Sequence, residues 1–202
     1  FTGGTQTWAE NMDLMFTFRG IPCVYYGSEV EFKKGELIDK GTLISLENSG
    51  RAYFGDYLEG TVKATDFSEY TASGTVADTL ASPLSKHLSK VNAIRRAIPA
   101  LQKGQYTASS TYVTGGDMSY VRRYTDDNTD SLALVSISSG ATFKNIPNGK
   151  YVDAVTGDVK YVTDGTLTVP ELAKANMRVY VCCASGFTGI DGQIGGDSAY
   201  AK

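Results

Sequence analysis

The chain has 202 residues, 42% hydrophobic, 20% charged and 11% aromatic, the profile of an ordinary globular protein of one or two domains. It carries 19 basic against 22 acidic residues, net charge −3, so it has no basic surplus for gripping phosphate backbones, and nucleic acid is excluded as an expected partner. No apolar run approaches the roughly 18 residues a membrane helix needs, so no membrane partner is expected.

Residues 7–19 read as a helix. Thr7 and Glu10 form a capping-box pattern, and Trp8, Met12, Met15 and Phe16 recur at helical spacing. Gly20 suits the left-handed position past the helix end. Residues 21–27 are short, apolar and aromatic, the pattern of a fully buried strand, with Pro22 near its start. From Ser28 to Ala81 no element is expected, although Tyr53, Phe54, Tyr57, Phe67 and Tyr70 argue for packing. Residues 82–97 read as a second helix. Ser82 is its N-cap, Pro83 its first residue, Leu84, Leu88, Val91, Ile94 and Ile98 its apolar face, and Pro99 its end.

After Gly104 the texture changes to short alternating runs: 118–124, 131–137, 150–155, 159–162, 166–169 and 177–183. Turn residues separate them, as in an antiparallel sandwich. In the last run Met177, Val179, Val181 and Cys183 share one face, and Arg178, Tyr180 and Cys182 the other. The glycine-rich end, 185–202, reads as a linker or tail. Residue 1 is Phe, so the chain is expected to be processed or a piece of something longer.

Candidate chemistry is sparse. Three cysteines, Cys23, Cys182 and Cys183, make neither a disulfide framework nor a metal spacing, and are expected as buried thiols. The single histidine, His87, lacks an evident carboxylate to orient it and is expected to be structural or at the surface. Glu29 and Glu31 would stand about 7 Å apart on extended chain, but acids leaving one strand do not face each other across a sugar as a glycosidase pair must. Glu29 alone, at the end of a barrel-type strand, is the better site residue. Asp126, Asp127, Asn128 and Asp130 cluster on a hairpin tip without the spacing of a calcium loop, and read as a solvated turn.

The run Gly20-Ile21-Pro22-Cys23-Val24-Tyr25-Tyr26-Gly27-Ser28-Glu29 resembles a signature of the α-amylase family of glycoside hydrolases, Gly-x-Pro-x-x-Tyr-Tyr-Gly-x-Glu, with every fixed position matched. In that family the pattern marks the eighth and last barrel strand. Residues 88–104, with Asn92, Arg95, Arg96 and Pro99-Ala100-Leu101, are similar to the final barrel helix and its exit, and 118–123 to an early strand of the C-terminal domain.

The resemblance implies the C-terminal end of a (β/α)8 TIM barrel over 1–104 (incomplete), an antiparallel β-sandwich over 105–184, and the tail. It implies α-1,4-glucan substrates such as starch, glycogen or maltodextrins, a retaining two-carboxylate mechanism, secretion to the extracellular space, and calcium in the parent enzyme. The catalytic carboxylates of the family lie on strands four, five and seven, none of which matches here. No catalytic residue is therefore expected, and this chain alone is expected to be inactive. The expected contribution is cleft rim: Tyr25, Tyr26, Gly27 and Glu29 at the strand mouth, and Arg51 in the following loop. The expected partners are the glucan and the missing N-terminal portion of the barrel. A non-catalytic carbohydrate-binding or interaction module is the alternative, but such a module has no use for a barrel's last strand.

Overall fold

The computed structural model describes residues 4–25, 27–30, 59–64 and 70–202. Its elements in chain order are α1 (Gly4–Thr17), a 3-10 turn (Ser28–Val30), β1 (Thr61–Ala64), β2 (Tyr70–Ser73), α2 (Thr75–Ala81), α3 (Pro83–Ala97) and α4 (Pro99–Lys103). Then follow β3 (Gln105–Thr107), β4 (Val113–Thr114), β5 (Ser119–Thr125), β6 (Asp130–Ile137), β7 (Ala141–Phe143), β8 (Gly149–Asp153), β9 (Val159–Val162), β10 (Leu167–Val169) and β11 (Met177–Cys182).

Residues 105–182 form two packed antiparallel sheets. The larger has the order β3-β5-β6-β11-β8-β9 and the smaller β10-β7-β4. Between them lies one core that includes Leu132, Leu134, Phe143, Tyr151, Leu167, Tyr180 and Cys182. The opposite face of the large sheet is also covered. Ala133, Val135, Ile137, Val179 and Val181 meet Phe16, Val91, Ile94, Ile98 and Leu101 from the helices in a second core. The molecule is thus three layers: helices, large sheet, small sheet. Of the two faces expected for β11, Met177, Val179 and Val181 point to one core and Tyr180 and Cys182 to the other, while Cys183 lies past the strand end and Arg178 joins neither core. Strand β6 is buried from Ser131 to Ile137, because the helices cover the face a two-layer sandwich would leave wet.

Helix α3 follows the capping signals closely. The Ser82 side chain accepts from the Ser85 amide at 3.2 Å, and Pro83 occupies the first turn. Val91 and Ile94 are fully buried, each contributing roughly 1.5–3 kcal/mol. Helix α1 starts earlier than the capping box suggested, at Gly4, and the Thr7 hydroxyl instead receives the Lys174 ammonium at 2.6 Å.

Three further expectations need correction. Residues 21–25 join no sheet among the described residues, and Ile21 is 95% and Tyr25 57% exposed, so this run is not a buried strand here. A parallel barrel strand gains burial only from neighbours on both sides, and the described residues supply none. The stretch 28–81, expected to be without elements, contains the β1–β2 hairpin and α2. The glycine-rich end lies against the body: Ile190 and Ile194 pack on the helix-side core, and Ala201 is fully buried within it.

Candidate functional site

The 20–29 motif turns sharply at Gly27, whose φ of 83° suits glycine. The Ser28 amide donates to the Tyr25 carbonyl at 3.1 Å, opening the 3-10 turn that carries Glu29. The Ser85 hydroxyl, in the first turn of α3, donates to the Glu29 carbonyl at 3.0 Å and fixes that turn on the helix.

Glu29 is half-buried and lines a cavity of about 630 Å³ together with Phe16, Pro22, Val24, Asn92 and Arg96. Tyr25 opens instead onto a smaller cavity of about 100 Å³, beside Trp8, Met15 and Cys23. Val24 borders both. Tyr25 and Glu29, both expected on the rim, therefore face different spaces. Tyr26 and Arg51 lie outside the described residues, as do Glu31 and the loop aromatics Tyr53, Phe54, Tyr57 and Phe67. Cys23 is exposed, contrary to its expected burial, because the run that carries it is uncovered.

Glu29 is the one carboxylate among the described residues lining the large cavity. Glycoside hydrolysis by the retaining route takes two carboxyl groups about 5–5.5 Å apart. The described residues do not assemble that pair at this cavity.

Two arginines, which sequence reasoning assigned no structural task, organise the end of α1. Arg95 lines the cavity, yet its guanidinium donates to the carbonyls of Phe16 (2.9 Å) and Phe18 (3.1 Å), and also to that of Gly20. Arg122, on β5, donates to the carbonyls of Thr17 (2.7 Å) and Gly104 (2.9 Å). Cations at a helix C-terminus satisfy its orphan carbonyls and oppose its dipole. Burial lowers the pKa of both guanidiniums, though each remains a cation. Beside them the Thr17 and Tyr120 hydroxyls share a hydrogen bond at 2.6 Å, and burial holds the Tyr120 phenol well above its ordinary value.

His87 does have a carboxylate neighbour. Its Nε2 lies 3.0 Å from Asp13 Oδ1, both side chains fully buried, and 3.2 Å from the Ala9 carbonyl. Burial raises the Asp13 carboxyl to about 6, against the opposing pull of His87. Its Nδ1 lies 3.2 Å from Ser198 Oγ. Serine, histidine and aspartate thus meet, but not as a hydrolytic triad. The imidazole has no solvent access, and the Tyr200 ring stands edge-on to it at 5.4 Å. A base in that position reaches no substrate proton. The role is structural, as expected; the carboxylate partner was not foreseen.

The acidic hairpin tip is committed to local contacts. Asp130 forms a two-pronged pair with Arg123, and Asp126 accepts from the Asn128 amide and the Tyr124 hydroxyl. Among the described residues no group of three His, Cys, Asp or Glu side chains is placed to hold a metal ion.

No family model matches the chain. Over 167 residues it is 31% identical to an α-amylase of Streptomyces lividans, an alignment spanning 83% of this chain and 17% of that protein. The chain therefore corresponds to under a fifth of the curated relative's length. A solved structure, that of CldA, described as the first cyclomaltodextrin glucanotransferase with a three-domain ABC distribution, aligns with 87% of this chain and 32% of its own, at 20% identity and a TM-score of 0.42.

Proposed function

The chain belongs to the α-amylase family as a C-terminal region, and from that premise we propose that its parent is a retaining glycoside hydrolase acting on α-1,4-glucans. The parent works outside the cell. Residues 1–104 supply the last strand and closing helix of its barrel, and 105–184 its C-terminal β-domain. The catalytic carboxylates lie elsewhere in the parent, and this chain by itself does not cleave glucan.

One observation carries the barrel assignment. Residues 21–25 bear the strand signature but join no sheet among the described residues, and Ile21 is 95% exposed. An apolar run of this kind fits a strand whose partners belong to another part of the protein. The large cavity beside this run is lined by Phe16, Pro22, Val24, Leu80 and Leu88 together with polar residues that include Glu29, Asn92 and Arg96. In the assembled barrel, Tyr25, Tyr26, Gly27, Glu29 and Arg51 contribute to the rim of the glucan cleft.

The test is starch hydrolysis by the purified chain, alone and mixed with a separately made N-terminal barrel portion of an α-amylase. The expected result is no cleavage by either part and cleavage by the mixture. Cleavage by the chain alone would overturn the assignment of its carboxylates. Glucan retention on an affinity gel, with no activity in any mixture, would favour the binding-module alternative.

A further inference from the structure

Residues 189–202 have no helix or strand, yet they touch both halves of the molecule in different ways. Their backbone bonds go to the β-sandwich and its connections. Ile194 N–H donates to the Ala154 carbonyl at 2.8 Å, Ala201 N–H to the Ala175 carbonyl at 3.1 Å, and Lys202 N–H to Asn176 Oδ1 at 2.7 Å. Arg178 closes the far end by donating to the Lys202 carbonyl at 2.6 Å. Toward the helices, contacts come from side chains and from one close crossing. Gly195 has a φ of 74°, and a Cβ there would stand 3.3 Å from Lys90 of α3. Ser198 and Tyr200 then meet His87. Tyr200 also packs against the small cluster of Ala9, Met12 and Leu84, which joins α1 to α3.

The hydrogen-bond pattern assigns the imidazole. Nε2 faces the Ala9 carbonyl, which can only accept, so Nε2 carries the proton. Nδ1 is then an acceptor. Ser198 Oγ already accepts the Tyr200 amide at 3.2 Å, which leaves its hydroxyl hydrogen to donate to Nδ1.

We propose that residues 189–202 are a clasp carried by the β-sandwich, which closes on His87 and holds α1 and α3 against the large sheet. The clasp is independent of any catalytic role. It makes the helical layer's hold on the sandwich depend in part on Ser198 and Tyr200, which lie outside both large cores.

The chain contains one histidine, so nitrogen-15 NMR of the full chain sees a single imidazole. The expected spectrum is that of the Nε2–H tautomer with Nδ1 as acceptor. In the double variant Ser198→Ala/Tyr200→Ala, the Nδ1 resonance should shift. Amide exchange at Met12 and Val91 should quicken by about tenfold while Val135 and Val179 stay protected, since helices and sheet would then open as separate units. Gly195→Ala, at a residue that crosses Lys90 and does not itself touch His87, should lift the crossing and quicken the same helix amides while the sheet stays protected; it carries the test if the double variant does not fold. An Nδ1–H tautomer, unchanged helix protection, or equal loss of protection in helices and sheet would each overturn the clasp.

Discussion

Arg122 reaches from β5 of the large sheet to donate a 2.7 Å hydrogen bond to the carbonyl of Thr17, the last residue of α1. Arg122 is 1% exposed. A strand side chain therefore finishes a helix that precedes it by most of the N-terminal segment, and the helical layer and the sandwich share one buried joint. Removing the side chain strands the carbonyls of Thr17 and Gly104. Arg122→Ala should lower unfolding stability by about 3 kcal/mol, and Arg122→Lys, which keeps the charge but loses the fork, by somewhat less. Urea titration measures both; equal, negligible losses would remove the joint from the energetics.

Asp13 makes stability depend on pH. Its carboxyl titrates at about 6 in the fold against 3.8 unfolded. A raised acid pKa means the folded state binds the proton more tightly, so this contribution is complete below the unfolded value and is lost as pH rises toward and through about 6. The loss should amount to roughly 3 kcal/mol. Asp13→Asn should flatten the profile over that window, compared by urea midpoints from about pH 4 to about pH 7. Parallel profiles for the two proteins would contradict the assignment.

Ile21 distinguishes stability from assembly. At 95% exposure, Ile21→Asp should change the stability of this chain by less than about 0.5 kcal/mol. The same substitution should abolish reconstitution of starch cleavage with the barrel portion, because it would place a charge in a parallel sheet buried on both faces. Full reconstitution by the variant would show that the run does not pair.

Ser82 tests a purely local device. Ser82→Ala removes the acceptor for the Ser85 amide and should cost about 1 kcal/mol. Thermal melting of the pair of proteins measures it, and Ser82→Asp should recover most of the loss.

Phe143 tests the inter-sheet core. It is fully buried on β7, in the core between the sheets, and Phe143→Ala should cost about 3–5 kcal/mol. A loss below about 1 kcal/mol, read by urea titration, would mean that the small sheet collapses onto the vacancy.

Much of this architecture is written in short-range pattern. Ser82 with Pro83 starts α3, the apolar residues Leu84, Val91 and Ile94 mark its buried face, and Met177, Val179 and Val181 separate from Tyr180 and Cys182 along β11. Caps act within a turn, and the helix and strand periods repeat every few residues, so neighbouring positions suffice to read them. The family signature at residues 20–29 is local in the same sense. What joins distant segments was not legible. Asp13 beside His87, Arg122 on the end of α1, the second burial of β6 and the packing of 189–202 all depend on where the path of the chain returns. None has a periodic trace, because a hydrogen bond between two buried groups is set by the position of both elements in space. The strand signature shows the same division: its residues are recognisable from their order, but burial of residues 21–25 requires neighbours that the order of those residues cannot supply.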